Sequence, residues 1–174
     1  RFLPTAPYNM ADSTLAPDTR LAHVNTAADA LRAALPKAPT IGLLTGAGTA
    51  ALADAMDTTA TIPFADLPHM PAAASGPERT FTAGTLHGYD TLAVPEQLHL
   101  YDGLSAREVA LPARIMGALG VDLLIAVTTA GGVNPHYTPG DVMLFSDHIN
   151  LQGANPLEGP NVEAWGPRFP DMSA

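Results

Sequence analysis

Residues 40–48, TIGLLTGAG, place a glycine turn directly after a short apolar run. Residues 121–132, VDLLIAVTTAGG, show the same order of apolar run and glycine turn. Short apolar runs bounded by turn residues are typical of buried strands. Helical patterns lie between these two runs. The sequence therefore predicts an α/β fold in which helices flank a mixed or parallel central sheet.

Other elements follow from periodicity and turn residues. Apolar residues at spacings of three and four predict a helix over 20–35. Ser105 and Glu108 form a capping box, which predicts a helix that begins there and ends at Gly120. Residues 57–79 are rich in proline and are predicted to be a long irregular connection. The remaining predictions are a strand over 40–44, a helix over 48–56, strands over 80–86 and 91–94 around the turn His87-Gly88, a buried strand over 121–127 and a strand over 141–145.

The chain has 174 residues, which suits one domain, predicted over 20–174 behind a flexible segment over 1–19. Hydrophobic residues make up 47% of the chain, which argues against disorder throughout. No apolar run approaches the roughly 18 residues that span a bilayer, so no membrane partner is predicted. Met10 is a candidate true start, and residues 1–9 lack the apolar core of a secretory signal. We expect the chain to be truncated after Ala174.

The chain carries a formal charge of −9, from 17 acidic and 8 basic residues. Nucleic-acid surfaces need clustered lysine and arginine, so this balance argues against a nucleic-acid partner. An anionic substrate stays compatible with it, because backbone N–H groups bind anions locally. The absence of cysteine excludes disulfides and thiolate metal sites, and it is compatible with a cytoplasmic location.

The first candidate site is the turn Gly46-Ala47-Gly48. Glycines allow a tight bend after a strand, so that N–H groups of the next helix point towards an anion. The turn also fits a loose dinucleotide fingerprint, with Ala51 at the third small position. That interpretation needs an acid after the second strand, for which Asp66 has suitable spacing. A plain close turn is the alternative to both.

The second candidate site is the segment 97–103, QLHLYDG, between a strand and the capped helix. If residues 97–101 are extended, then Gln97, His99 and Tyr101 share one face. A protonated imidazole donates two hydrogen bonds and suits an anion, and a phenolic hydroxyl suits a sugar. A half-buried edge strand with a satisfied histidine is the alternative.

The third candidate site is the segment 128–132, TTAGG, at the carboxyl end of a predicted strand. Ligands of open α/β sheets collect at this edge, and small residues let a flat ligand approach the backbone. A tight turn is the alternative. His136, Asp147 and His148 match no zinc spacing and are interpreted as structural, so no metal site is predicted.

Several motifs occur in order in the second half of the chain. They are Gly120-Val-Asp122, Thr129-Ala-Gly-Gly-Val-Asn-Pro135, Gly140-Asp141, Asp147-His-Ile-Asn-Leu151, Asn155-Pro-Leu157, Gly159-Pro-Asn161 and Arg168-Phe-Pro170. Together with His99, Tyr101 and Gly103, their order and spacing resemble the homotrimeric purine nucleoside phosphorylases. The resemblance covers residues 41–173. It identifies the chain as the N-terminal portion of such a protein, with the phosphorylase-type α/β fold.

The resemblance implies phosphorolysis of purine nucleosides, in purine salvage. Phosphate would attack the anomeric carbon and yield the free base and (deoxy)ribose 1-phosphate. The enzyme would position the reactants and stabilise charge, with inorganic phosphate as co-substrate and no metal or organic cofactor. The family also implies a homotrimer in the cytoplasm.

The resemblance also implies roles for individual residues. It gives phosphate binding to Ala47, Gln97, His99 and Thr129, ribose binding to Tyr101, the purine pocket to Ala130 and Gly131, and a contact with the neighbouring subunit's site to Phe169. The phosphate site departs from the family. Ala47 replaces a serine, and Gln97 replaces an arginine, which loses a charged bidentate donor. Pro77 replaces a histidine, Arg79 is a candidate to compensate, and Asp102 replaces a glutamate.

The family's purine-reading glutamate and asparagine lie beyond the position that matches Ala174, as do a second phosphate-binding serine and a ribose-contacting histidine. The catalytic residues are therefore unassigned. Residues 1–174 alone are expected to show little or no phosphorolysis. Two alternatives stay open: an impaired homologue that serves in binding or assembly, and a dinucleotide-binding oxidoreductase.

Overall fold

The computed structural model describes residues 15–46, 48–49, 51–71 and 78–171. Within them, no helix is both long enough and apolar enough to cross a membrane. The helices are α1 (Pro17–Ala34), the four-residue α2 (Ala51–Asp54) and α3 (Ala106–Leu119), and short 3-10 helices cover Phe64–Asp66, Leu100–Asp102 and Glu163–Trp165. The strands are β1 (Ile41–Leu44), β2 (Asp57–Pro63), β3 (Thr80–Leu86), β4 (Tyr89–Val94) and β5 (Leu123–Ala126).

The five strands form one mixed sheet in the order β2-β3-β4-β1-β5. Strands β2, β3 and β4 are antiparallel neighbours, whereas β1 runs parallel to both β4 and β5. The α/β fold with a mixed sheet is therefore confirmed. The parallel part matters for function, because it brings the carboxyl ends of β4, β1 and β5 to one edge.

Alternation along the strands divides the apolar core between the two faces of the sheet. Leu92 and Val94 of β4 pack with the helices α1 and α3, in a cluster that also holds Phe81. Ala93, between them, packs on the opposite face with Leu43 and Met56. Side chains of successive strand residues point to opposite faces, so both faces of the sheet are covered at its centre.

Several predicted elements are confirmed. Helix α3 begins at the capping box, in which the Ser105 N–H donates to Glu108 Oε2 at 2.7 Å, and it ends at Gly120 with a φ of 86°. Strands β3 and β4 form the predicted hairpin around His87-Gly88. Both turn residues have positive φ, which a two-residue hairpin with the right-handed strand twist requires.

The irregular connection predicted over 57–79 is wrong in its first part. Residues Asp57–Pro63 form β2, which pairs with β3 on both sides of a register shift between Thr58 and Ala60. The β-branched residues Thr58, Thr59, Thr61 and Ile62 favour an extended chain. Pro63 lies at the end of an edge strand, where a missing N–H is tolerated. Pairing with β3 therefore decided a segment whose prolines suggested a loop.

The predicted buried strand over 121–127 exists as β5, but its burial was predicted wrongly. All four residues of β5 are exposed, and among the described residues β5 pairs only with β1. The strand predicted over 141–145 is also wrong, because these residues form no regular element and are exposed. An extended segment needs a partner for its backbone groups, and the described chain provides none there.

Two predicted boundaries also differ. Helix α1 begins at Pro17, three residues before the predicted position 20. Residues 1–14 lie outside the described part. The helix predicted over 48–56 is limited to α2, with Ala50 outside the described residues.

Candidate functional site at the carboxyl ends of the parallel strands

Three loops meet where β4, β1 and β5 end. The backbone N–H of Gln97 donates to the carbonyl of Thr45 at 3.2 Å, and the N–H of Val127 donates to the carbonyl of Leu44 at 2.8 Å. The buried Thr45 hydroxyl donates to the carbonyl of Pro95 at 3.0 Å. These bonds fix the loops after the three strands relative to one another. The described parts of the three segments proposed from the sequence therefore lie at the same edge of the sheet.

The glycine turn after β1 lies against the segment after β5. Gly48 has a φ of 82°, and a Cβ placed on it would lie 2.9 Å from Cγ2 of Thr129. A larger residue at position 48 is therefore strained both by its backbone conformation and by the approach of Thr129. The Thr49 hydroxyl, 2.9 Å from the Gly46 nitrogen, closes the turn. Ala47, the turn's predicted phosphate ligand, lies outside the described residues.

Gln97 spans the gap between two of these loops. Its side-chain Nε2 donates to the carbonyl of Val127 at 3.4 Å, a long hydrogen bond. Its backbone is held by Thr45. The amide is thus placed beside the strand ends, close to the chain that leads to Thr129.

His99 and Tyr101 form a second pair in the same loop. Their rings stack with centroids 4.5 Å apart and an angle of 14° between the planes. His99 is half-buried, whereas Tyr101 is 82% exposed. The shared face predicted from an extended segment is corrected, because Leu100–Asp102 form a 3-10 helix. The turn of that helix, and not strand alternation, brings the two rings together.

A buried ion pair stabilises the loop that carries His99 and Tyr101. Asp102 Oδ2 accepts the His99 backbone N–H at 3.1 Å and lies 3.5 Å from Nη2 of Arg79. Both side chains of the ion pair are only 7% exposed. Arg79 is therefore engaged with Asp102, so its role is to anchor the loop that carries His99. This role was not predicted from the sequence, although an arginine that precedes a buried strand is a signal for it.

The predicted purine-pocket residues line an open cavity in the segment after β5. Ala130 and Gly131 line a cavity of about 1020 Å³, whose lining residues all fall between Thr128 and Phe145. Most of these residues are exposed. The structure thus places Ala130 and Gly131 next to Thr129 along the chain but on a surface that the loop of His99 does not line.

Phe169, predicted to reach a neighbouring subunit, is 85% exposed. Pro77, predicted to replace a family histidine, lies outside the described residues. Within the described ranges, no three His, Asp or Glu side chains lie close enough to hold a metal ion, and His136, Asp147 and His148 form no such group.

The topology contradicts the dinucleotide interpretation. That fold places its second strand parallel and next to the strand before the glycine turn, with an acid at its end. Here β2 is separated from β1 by β3 and β4, and it is antiparallel to β3. Asp66 follows β2 in a 3-10 helix at the far side of the sheet, remote in strand order from the glycine turn.

Comparison with known proteins agrees with the sequence resemblance. The family model described as the phosphorylase superfamily matches residues 40–174. Purine nucleoside phosphorylase 1 of Geobacillus stearothermophilus is 43% identical over 151 residues, which cover 86% of this chain and 55% of that protein. The protein of the same name from Bacillus subtilis (strain 168) is 41% identical, with 87% and 56% covered.

A solved structure shows the same likeness in three dimensions. The purine nucleoside phosphorylase of Schistosoma mansoni in complex with inosine superposes with a TM-score of 0.78 at 37% identity, over 88% of this chain and 55% of that one. The chain therefore spans about half the length of the relatives that it matches. On the family match and these likenesses, the chain belongs to the phosphorylase superfamily.

Proposed function

We propose that the protein is a purine nucleoside phosphorylase, which converts a purine (2′-deoxy)ribonucleoside and inorganic phosphate into the free base and (deoxy)ribose 1-phosphate. The observation that carries the proposal is the assembly of the loops after β1, β4 and β5 by backbone and side-chain hydrogen bonds. The named relatives and the structure with inosine support the substrate class.

In the proposed mechanism, phosphate binds against the glycine turn and the backbone of Thr129, at the open side of their contact. The close approach of Gly48 to Thr129 leaves backbone N–H groups as donors where side chains are small. His99 adds a donor from the adjoining loop, and Gln97 contributes a neutral amide. The bound anion then stabilises the positive charge that develops on the ribose and attacks its anomeric carbon.

The exposed faces of Tyr101 and the segment 130–131 serve the nucleoside in this proposal. The Tyr101 hydroxyl would contact the ribose, and the glycines after Thr129 let the flat purine approach the backbone. Phe169 would cover the site of a neighbouring subunit in a homotrimer, and its 85% exposure agrees with such a contact. The proposal needs no metal or organic cofactor and places the protein in the cytoplasm.

The test is an assay of hypoxanthine release from inosine, with and without phosphate, by the protein that the gene encodes. We expect phosphate-dependent release, and a phosphate KM raised about tenfold by His99→Ala, because one hydrogen bond to a charged group contributes about 1.5 kcal/mol. His136→Ala, outside the proposed site, is the matched control. A folded protein that releases no hypoxanthine at millimolar phosphate would contradict the proposal and favour a non-catalytic homologue.

A further inference from the structure

The candidate site at the carboxyl ends of β4, β1 and β5 is called the strand-end site below. A second cavity lies apart from it. It has a volume of about 390 Å³, which is within the range of small-molecule sites. Its walls come from Leu15 and the first half of α1, the turn at His69, α3 and Trp165. It shares no lining residue with the loops that carry Gln97, His99 and Thr129.

The second cavity is lined by three positively charged side chains. Arg20, Arg107 and Arg114 line it, with Glu108 as the one acidic lining residue. Glu108 is engaged in the cap of α3, where its Oε2 accepts the Ser105 N–H at 2.7 Å. Three of the eight basic residues of a chain with a formal charge of −9 therefore surround one cavity. This balance favours an anionic ligand.

The arginines are held in place by the chain that follows residue 155. Arg114 Nη2 donates to the carbonyl of Pro156 at 3.2 Å, and Arg20 and Arg107 donate to the carbonyls of Pro160 and Glu158. Arg20 and Arg107 are each 7% exposed. A guanidinium that is oriented before a ligand arrives loses less side-chain entropy on binding, which favours affinity.

Aromatic rings form another part of the cavity wall, beside the aliphatic side chains of Leu15, Val24 and Leu111. The guanidinium carbon of Arg114 lies 3.8 Å from the centroid of the Trp165 ring. The rings of His23 and His69 stack at 3.8 Å with an angle of 9°. Burial, and then the charge of His23, lower the pKa of His69 below 6.5, so this ring is neutral at neutral pH. Flat rings beside arginines suit a ligand with a planar apolar part.

We propose that the cavity between α1, α3 and Trp165 is a second binding site, for a small planar organic anion such as an aromatic phosphate or carboxylate. The arginines bind the anionic group, and the Trp165 and histidine rings receive the planar part. The site is independent of the proposed phosphorolysis, because its lining residues and those of the strand-end site are different.

The chain contains a single tryptophan, Trp165, so intrinsic fluorescence reports on this cavity directly. Phenyl phosphate is the probe, with inorganic phosphate and uncharged benzyl alcohol as comparisons. We expect a saturable change in Trp165 emission with phenyl phosphate, at least tenfold weaker binding of inorganic phosphate and no saturation with benzyl alcohol. Equal binding of phenyl phosphate and phosphate, or of phenyl phosphate and benzyl alcohol, overturns the proposal.

Arg114→Gln is expected to weaken phenyl phosphate binding at least fivefold. Arg168→Gln is the matched control, because Arg168 also donates to this segment, at 3.1 Å to the carbonyl of Leu157, without lining the cavity. Its affinity should equal that of the unmodified protein. Equal losses in the two variants overturn the proposal, because they show that any loosening of the segment removes binding.

Two further variants keep the test decisive if Arg114→Gln does not fold. His23→Ala removes one ring of the stack and should weaken phenyl phosphate more than inorganic phosphate. His99→Ala alters the strand-end site and should leave the Trp165 titration unchanged. A titration altered by His99→Ala but not by His23→Ala assigns the signal to the strand-end site and overturns the second site.

Discussion

At the scale of single residues, the Asp102 carboxylate connects the core to the candidate site. One of its oxygens accepts the His99 N–H and also faces the buried Arg79 guanidinium. The backbone position of His99 thus depends on a charge pair that has no direct contact with the open face of the site. Breaking such a pair leaves one charge buried without compensation, which costs more than the pair itself contributes.

Arg79→Met is therefore expected to reduce the free energy of unfolding by about 3 kcal/mol, measured by urea denaturation. Lys37→Met is the matched control. The Lys37 side chain is 72% exposed in its ion pair with Asp90, so its loss should cost less than about 1 kcal/mol. Similar small losses in both variants would show that the Arg79 pair does not stabilise the loop.

In the proposed phosphate site, Gln97 contributes a neutral amide and no charge. Its Nε2 already lies 3.4 Å from the carbonyl of Val127, beside the strand ends. Gln97→Arg is expected to raise phosphate affinity about tenfold, because a charged donor adds about 1.5 kcal/mol. The increase in melting temperature with phosphate measures this effect without an activity assay.

Gln152→Arg is the control for Gln97→Arg, since it adds the same charge at an exposed position. An equal gain in phosphate affinity from both substitutions would mean that net charge, and not the position of residue 97, controls binding.

At the scale of elements, the pairing of β2 with β3 depends on one glycine. The register shifts between Thr58 and Ala60, and a Cβ on Gly84 would lie 2.4 Å from the carbonyl oxygen of Asp57. The bulged strand therefore approaches its neighbour more closely than a side chain permits. Gly84 provides the space, and the bulge strengthens the local twist at this edge of the sheet.

Gly84→Ala is expected to destabilise the protein by about 2 kcal/mol, because the added methyl group meets backbone that cannot give way. Gly117→Ala in α3 is the matched control. A Cβ on Gly117 meets nothing within 4 Å, and alanine favours the helix by about 1 kcal/mol, so this variant should gain stability. Thermal unfolding of the two variants should shift in opposite directions. A loss in both, or in neither, contradicts the bulge geometry.

At the scale of the whole molecule, apolar side chains of β5 and of the segment after it are exposed. Leu123, Leu124 and Ile125 are 53%, 42% and 40% exposed, although their sequence is that of an interior strand. The free edge of β5 among the described residues presents unpaired backbone groups beside these side chains. Exposed apolar surface of this kind marks an interaction surface or promotes self-association.

The chain of residues 1–174 by itself is therefore expected to self-associate with rising concentration. Ile125→Lys, which places a charge on the edge strand, should shift the mass measured by light scattering towards the monomer. Asn25→Lys adds the same charge on the exposed side of α1 and should leave the mass unchanged. A monomer at every concentration would contradict the expectation.

The sequence alone determined the α/β class, the capped helix α3 and the hairpin of β3 and β4, because these features depend on local periodicity, capping and turn chemistry. It also predicted which loops carry the candidate site, since the segments after the apolar runs hold Gly48, His99 and Thr129. The motifs between Gly120 and Pro170 indicated the family that the comparisons then showed.

Only the tertiary structure decided the features that depend on distant partners. Residues 57–63 became a strand because β3 offers pairing groups, whereas residues 141–145 have no such partner among the described residues. Strand order placed Asp66 far from the glycine turn. The tertiary fold also paired Arg79 with Asp102 in a buried ion pair. Local sequence sets the preference of a segment, but the free energy of a strand or a buried charge is set by what packs against it.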